Sequence, residues 1–121
     1  MMRSFTVSLN RAAGTYDICQ AAGVVQILRV VPHEVTAAAG LTSVSLQSNA
    51  TTPQEYLSAA EGAVANLTAD KTIVNANREV RHTLLATRKL QATIVGTGSD
   101  GVMLVPVHFV PLSEDANLVA V

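Results

Sequence analysis

Residues 96–110 read GTGSDGVMLVPVHFV, and the fold turns on the run after Gly101. Gly96, Gly98 and Gly101 match the G-x-G-x-x-G spacing of a dinucleotide-binding turn. That turn binds a pyrophosphate only where a helix opens behind it, because the helix N-terminus holds the anion. Here Met103, Val105, Val107 and Phe109 take one parity, and Val102, Leu104 and Val110 the other, with Pro106 inside the run. Such a β-branched run with a proline in it predicts a strand. The nucleotide reading fails with the helix. The glycines are expected to form a hairpin loop that needs positive φ.

Upstream of that loop, Val80, His82, Leu84, Ala86, Leu90, Ala92 and Ile94 share one parity. Arg81, Thr83, Thr87, Lys89, Gln91 and Thr93 share the other. Arg88 falls on the apolar side and predicts a bend or bulge that divides the run. Phe5, Val7 and Leu9 alternate with Thr6 and Ser8, as in a half-buried strand. Asn10–Gly14 reads as a turn and Thr15–Cys19 as a short strand. Residues 23–38, GVVQILRVVPHEVTAA, carry apolar residues on both parities, so both faces are covered. Pro32 cannot donate to a ladder and marks an edge or a bulge. Gly40 turns the chain into Leu41–Gln47, where Val44 and Leu46 alternate with Ser43, Ser45 and Gln47.

Between the strands, Thr52 with Glu55 three residues on reads as a capping box, with Pro53 at the first helical position. One or two short helical turns are expected within 52–67, interrupted at Gly62. A strand over 55–58 is the alternative. Thr68–Lys71 reads as a turn, Thr72–Asn75 as a short strand and Asn75–Asn77 as a break. Many short strands with frequent turns predict an all-β single domain over 1–121, a sandwich or barrel.

Composition narrows function. The chain has 121 residues, 49% of them hydrophobic and only 14% charged, with aromatics at 3% and a net charge of −1. The charge gives no general pull toward nucleic acid or an anionic membrane. The segment Arg78–Lys89 is basic but holds none of the aromatics on which bases stack. No apolar run is long enough for a membrane helix, and the N-terminus lacks the unbroken apolar stretch of a signal peptide. A soluble protein made in a cytoplasm is expected. Cys19, the single cysteine, cannot form an internal disulfide. Low charge on a small chain points to a surface partly covered by a partner.

Catalytic signals are weak. His33, His82 and His108 fall on three separate predicted strands, without the close spacing of metal ligands. They read as boundary residues, half covered by an interface, and protonation of one covered neutral would oppose that burial at mildly acidic pH. Cys19 reads as a buried thiol. No serine sits in a nucleophile elbow, and the carboxylates are dispersed. No cofactor and no enzymatic activity are expected. An enzyme would need a concave polar pocket. Asn49 and Asn66 head glycosylation sequons by pattern only.

Several pieces taken in order carry a resemblance: AAGT at 12–15, GVVQILRVV at 23–31, GLTSVSLQSN at 40–49, TTPQEYLSAAEGAVANLTADKTI at 51–73 and VGTGSDGVMLVPVHFVPL at 95–112. The chain resembles the head-decoration, or cement, proteins of short-tailed bacteriophages. The likeness lies in order and texture, and no short motif carries a residue role across. It implies a jelly-roll-like β-sandwich on the outside of an icosahedral virion capsid, with the major capsid protein as partner. Such a clamp stabilises a shell by binding only its assembled form, and many copies give avidity. A homo-oligomer, first of all a dimer, is expected by symmetry. The arms expected to reach a neighbour are 1–10, through Phe5 and Val7, and 113–121, through Leu118, Val119 and Val121. Arg81 and Lys89 are the basic contacts expected to meet a partner. The alternative is a phage tail or baseplate component, or a glycan-binding module drawing on Tyr16, Tyr56, Phe5 and Phe109.

Overall fold

The structure is a computed structural model and describes residues 1–72 and 78–121. It is all-β. The strands are β1 (Met2–Ser8), β2 (Gly14–Ala22), β3 (Val25–Val30), β4 (His33–Ser48), β5 (Glu55–Leu57), β6 (Lys71–Thr72), β7 (Arg78–Leu84), β8 (Lys89–Pro111) and β9 (Asn117–Ala120). A 3-10 turn at Val64–Asn66 is the only helical element among the described residues. Every strand pairing is antiparallel.

β8 organises the molecule. On one side it pairs first with β4, then with β3; on the other it pairs first with β2, then with β1. Gln20 lies opposite Lys89 at one end of β8, and Val25 lies opposite Pro111 at the other. A straight 23-residue strand would span roughly 75 Å. The short link from Gln20 to Val25 reaches at most about 18 Å. β8 therefore folds back on itself, and its halves belong to two stacked layers, with shared strands turning the corner. The first layer runs β9, β2, Lys89–Gly96 of β8, the C-terminal half of β4, then β5. In the second, β1 and β3 flank the C-terminal half of β8, β7 lies outside β3, and β6 flanks the start of β4. The all-β sandwich expected from the sequence is what forms.

The corner corrects one expectation. Residues 96–101 do not join two hairpin strands; they are the bend inside one strand. Gly96 and Gly101 adopt φ of 82° and 113°, which lets the backbone turn without losing the ladder. Gly98 serves differently. A β carbon there would collide with the Leu9 carbonyl oxygen, and the Gly98 N–H donates to Arg11 O at 2.8 Å. The partner strand accommodates the corner through register shifts between Thr36 and Ser43.

Pro106 lies in the middle of β8, where a missing N–H is normally costly. The Met1–Phe109 pair exchanges both backbone hydrogen bonds, and Leu9 N donates to Gly101 O. Pairing with β1 therefore engages the odd residues of β8, and Pro106 turns its backbone toward β3 and β4. There it meets the interruption at Val31–Pro32, and its carbonyl accepts from Val31 N at 3.0 Å. The two prolines share one defect in the ladder.

The segment 52–67 holds the expected short helical turn at Val64–Asn66, and a strand where the capping signal at Thr52 predicted a helix start. Tyr56 and Leu57 are buried on β5, so the strand alternative prevails over a helix at Thr52. Ser48 anchors its start: Ser48 N donates to Gln54 O, and Gln54 N donates to Ser48 Oγ, both at 2.9 Å. A capping box does exist, later in the segment. Ser58 N donates to Glu61 Oε1 at 3.0 Å, and Glu61 N donates to Ser58 Oγ at 3.1 Å. That turn stops at Gly62, where a β carbon would collide with the Val44 carbonyl oxygen. Arg88 divides the long run as expected, through a turn closed by Arg88 N donating to Leu85 O. The predicted strand over 72–75 falls on β6 at Thr72, and its remainder, with the break at 75–77, lies outside the described residues.

The core lies between the layers. Phe109, Met103, Ile27, Leu84 and Leu9 meet Ile94, Leu57 and Leu118 there, all essentially without solvent contact.

Candidate interaction surface

Because successive strand residues point to opposite faces, the parity buried in the core leaves the other parity outside. In the first layer this outer parity is mostly polar and cross-linked, with Val95 and Val119 exposed at its borders. Thr15 Oγ1 and Thr93 Oγ1 are 3.0 Å apart, and Gln47 Nε2 donates to Thr93 Oγ1 at 2.8 Å. Lys89 Nζ donates to Asp17 Oδ2 at 3.0 Å, and Gln91 Nε2 donates to Asp17 Oδ1 at 2.8 Å. The Gln91 amide and then the Lys89 ammonium hold the Asp17 carboxyl below its ordinary range. These groups have satisfied one another.

The second layer is different. Its outer parity along β8 is Val102, Leu104, Pro106, His108 and Val110, half-buried up to His108 and exposed at Val110. Met2 lies opposite His108 on β1 and is exposed. Beyond the strand end, Leu112 and Leu85 are more than half exposed. They flank Val24, since Leu112 N donates to Val24 O and Leu84 pairs with Val25. This face therefore presents a mainly apolar row from Val102 to Leu112, with His108 the one polar side chain in it. Its polar neighbours are Ser4 and Thr6 on β1, His33 opposite Leu104, and on β3 Gln26 opposite Val110 and the exposed Arg29 opposite His108. The sequence signal for it was the second apolar parity of 102–110, which matched no covering element.

The expected partner contacts separate into two groups. Phe5, Val7 and Leu118 are core residues, at most 6% exposed, and their side chains face inward in a single copy. The arms they belong to are docked: β1 lies on β8 and β9 on β2. Val119 and Val121 are exposed, on the β9 edge. Arg81 is exposed on β7, and Lys89 is bound to Asp17.

A crevice of about 230 Å³ opens between β1 and β2, bordered on β1 by residues 4–7, Ser4 and Thr6 among them, and across it by Arg11, Asp17, Ile18 and Val121. The Arg11 guanidinium stacks over Tyr16, 4.5 Å from the ring centre. Neither Cys19 nor any histidine lines it. Cys19 is fully buried, and burial pushes its thiol up to about 12, so it is not a nucleophile at neutral pH. His82 turns inward against Tyr56, with ring centres 6.2 Å apart in an edge arrangement. Tyr56 Oη and His82 Nε2 are buried without a hydrogen-bond partner. Burial raises the Tyr56 phenol and lowers the His82 imidazole, keeping both neutral. Among the described residues, no group of three or more His, Cys, Asp or Glu side chains is placed to hold a metal ion.

Comparison with protein-family models, curated protein sequences and solved structures finds no match.

Proposed function

We propose that this chain is a structural clamp of a bacteriophage head. It binds the outside of the assembled icosahedral shell and stabilises it by bridging subunits of the major capsid protein. The observation that carries the reading is the contrast between the two outer faces. One is a satisfied polar lattice around Asp17, Lys89, Gln91 and Thr93. The other is the mainly apolar row from Val102 to Leu112, with His108 in it and Met2 beside it. A clamp needs one face that prefers another polypeptide to water and one that prefers water. The long strands that turn from layer to layer add stiffness, so little order is lost on docking.

A glycan-binding module is less well supported. Such sites stack sugars on exposed aromatics, but Phe5, Tyr56 and Phe109 are buried, and Arg11 covers Tyr16.

The test is co-sedimentation with intact tailed-phage heads and, separately, with their dissociated shell subunits. Saturable binding to heads at a fixed ratio, with little binding to free subunits, is the expected result. Equal binding to both forms would count against a clamp.

A further inference from the structure

We infer that the outer edge of β1 is a strand-addition site for a second copy of this chain, which makes the protein a two-fold dimer. The alternation of hydrogen bonds between β1 and β8 fixes which backbone groups face outward. Met1 exchanges both bonds with Phe109, and Leu9 N donates to Gly101 O. The odd residues of β1 thus bond to β8, while Met2, Ser4, Thr6 and Ser8 turn their N–H and C=O groups to the open side. Among the described residues no strand pairs there. The register is unbroken from Met2 to Ser8, and this edge carries neither proline, lysine nor bulge. Edges left so plain are templates for another strand.

The occupant is set by the sequence of the edge itself. A second β1, antiparallel and centred on Phe5, places Met2 against Ser8 and Ser4 against Thr6 in hydrogen-bonded pairs. Every outward backbone group from 2 to 8 is then satisfied in both copies. Ser4 and Thr6 become cross-strand hydroxyl neighbours, a favourable pair. The one charged residue of the strand, Arg3, lies opposite Val7 of the other copy, so the two Arg3 side chains do not face each other. The arrangement is isologous and closes on itself. It also joins the apolar stripes of two molecules into one continuous sheet face. The inference does not depend on the capsid reading, since the dimer forms without a shell.

Sedimentation equilibrium of the full chain, combined with amide hydrogen exchange, tests it. The expected result is a species of twice the 12.6 kDa chain mass. In that species the amides of Ser4, Thr6 and Ser8 are protected along with those of Phe5 and Val7. Thr6→Pro removes an N–H that bonds to nothing within one copy, so β1 stays on β8. It deletes two bonds across the dimer and is expected to weaken association at least about 30-fold. A wild-type monomer at millimolar concentration would overturn the inference. So would a dimer whose Ser4 and Thr6 amides exchange freely, or a folded Thr6→Pro chain that dimerises as tightly as wild type. If Thr6→Pro fails to fold, the wild-type exchange pattern alone decides. Loss of head binding with the dimer intact would sink only the clamp, and a monomer that still binds heads would sink only the dimer.

Discussion

Gly62 and Gly98 have no room for a β carbon, and each lacks it for the same reason: a neighbouring carbonyl sits where the carbon would be. Gly62→Ala and Gly98→Ala each force a backbone shift and should cost about 3 kcal/mol. Denaturant midpoints with unchanged m-values would check this. His82 makes a different prediction. Its neutral ring is favoured by burial, so its folded pKa lies below the unfolded value of 6.5. The unfolded chain then binds a proton first as pH falls. Stability is full above pH 6.5 and declines as pH drops from there toward the folded pKa. Asp17 is also depressed, but from 3.8, so its loss belongs to a lower window. His82→Leu removes an unpartnered polar atom and should flatten the decline between pH 7 and 5 without loss of stability at pH 7. Melting curves across that range test it.

Elements show how local pattern and long-range pairing divide the work. The parity of Phe5, Val7 and Leu9, and of Met103 to Phe109, was legible because half-buried strands must alternate, and these residues are buried. The split at Arg88 was legible too, since a charge on the apolar side forces a turn. The corner at Gly96–Gly101 was not. Three glycines signal hairpin and bent strand alike, and only pairing with residues some 50 to 60 positions away separates them. The competing capping signals at Thr52 and Ser58 were equally ambiguous; burial of Tyr56 and Leu57 decided between them. The candidate face was half legible. Its apolar parity stood in the sequence, but the expected arms at Phe5, Val7 and Leu118 were assigned outward when their long-range partners draw them inward. Leu118 is fully buried and β9 completes the first layer, so deletion of 118–121 should cost about 3 kcal/mol or more. Calorimetry should then show a melting temperature lower by about 10 °C or more.

At the scale of the whole molecule, one chain builds two unlike surfaces by folding a single sheet over. The bend sends the polar row Lys89, Gln91 and Thr93 to one side and the mainly apolar row Val102–Val110 to the other. Such an object is suited to lying between another polypeptide and water. Leu104 sits in the middle of the stripe, between Thr6 and His33. Leu104→Glu should cost the isolated fold less than about 1 kcal/mol, because the position is half-open to water. It should damage docking far more, since a carboxylate would be buried at the centre of the contact.

The most direct measurement is the heat resistance of tailed-phage heads saturated with wild-type protein or with Leu104→Glu. A ligand that binds only the assembled shell adds about 2.7 kcal/mol per site at a hundredfold excess over Kd. Heads should therefore rupture at a higher temperature with wild-type protein, and at the unprotected temperature with Leu104→Glu. Heads that rupture at the same temperature with and without wild-type protein would contradict the account.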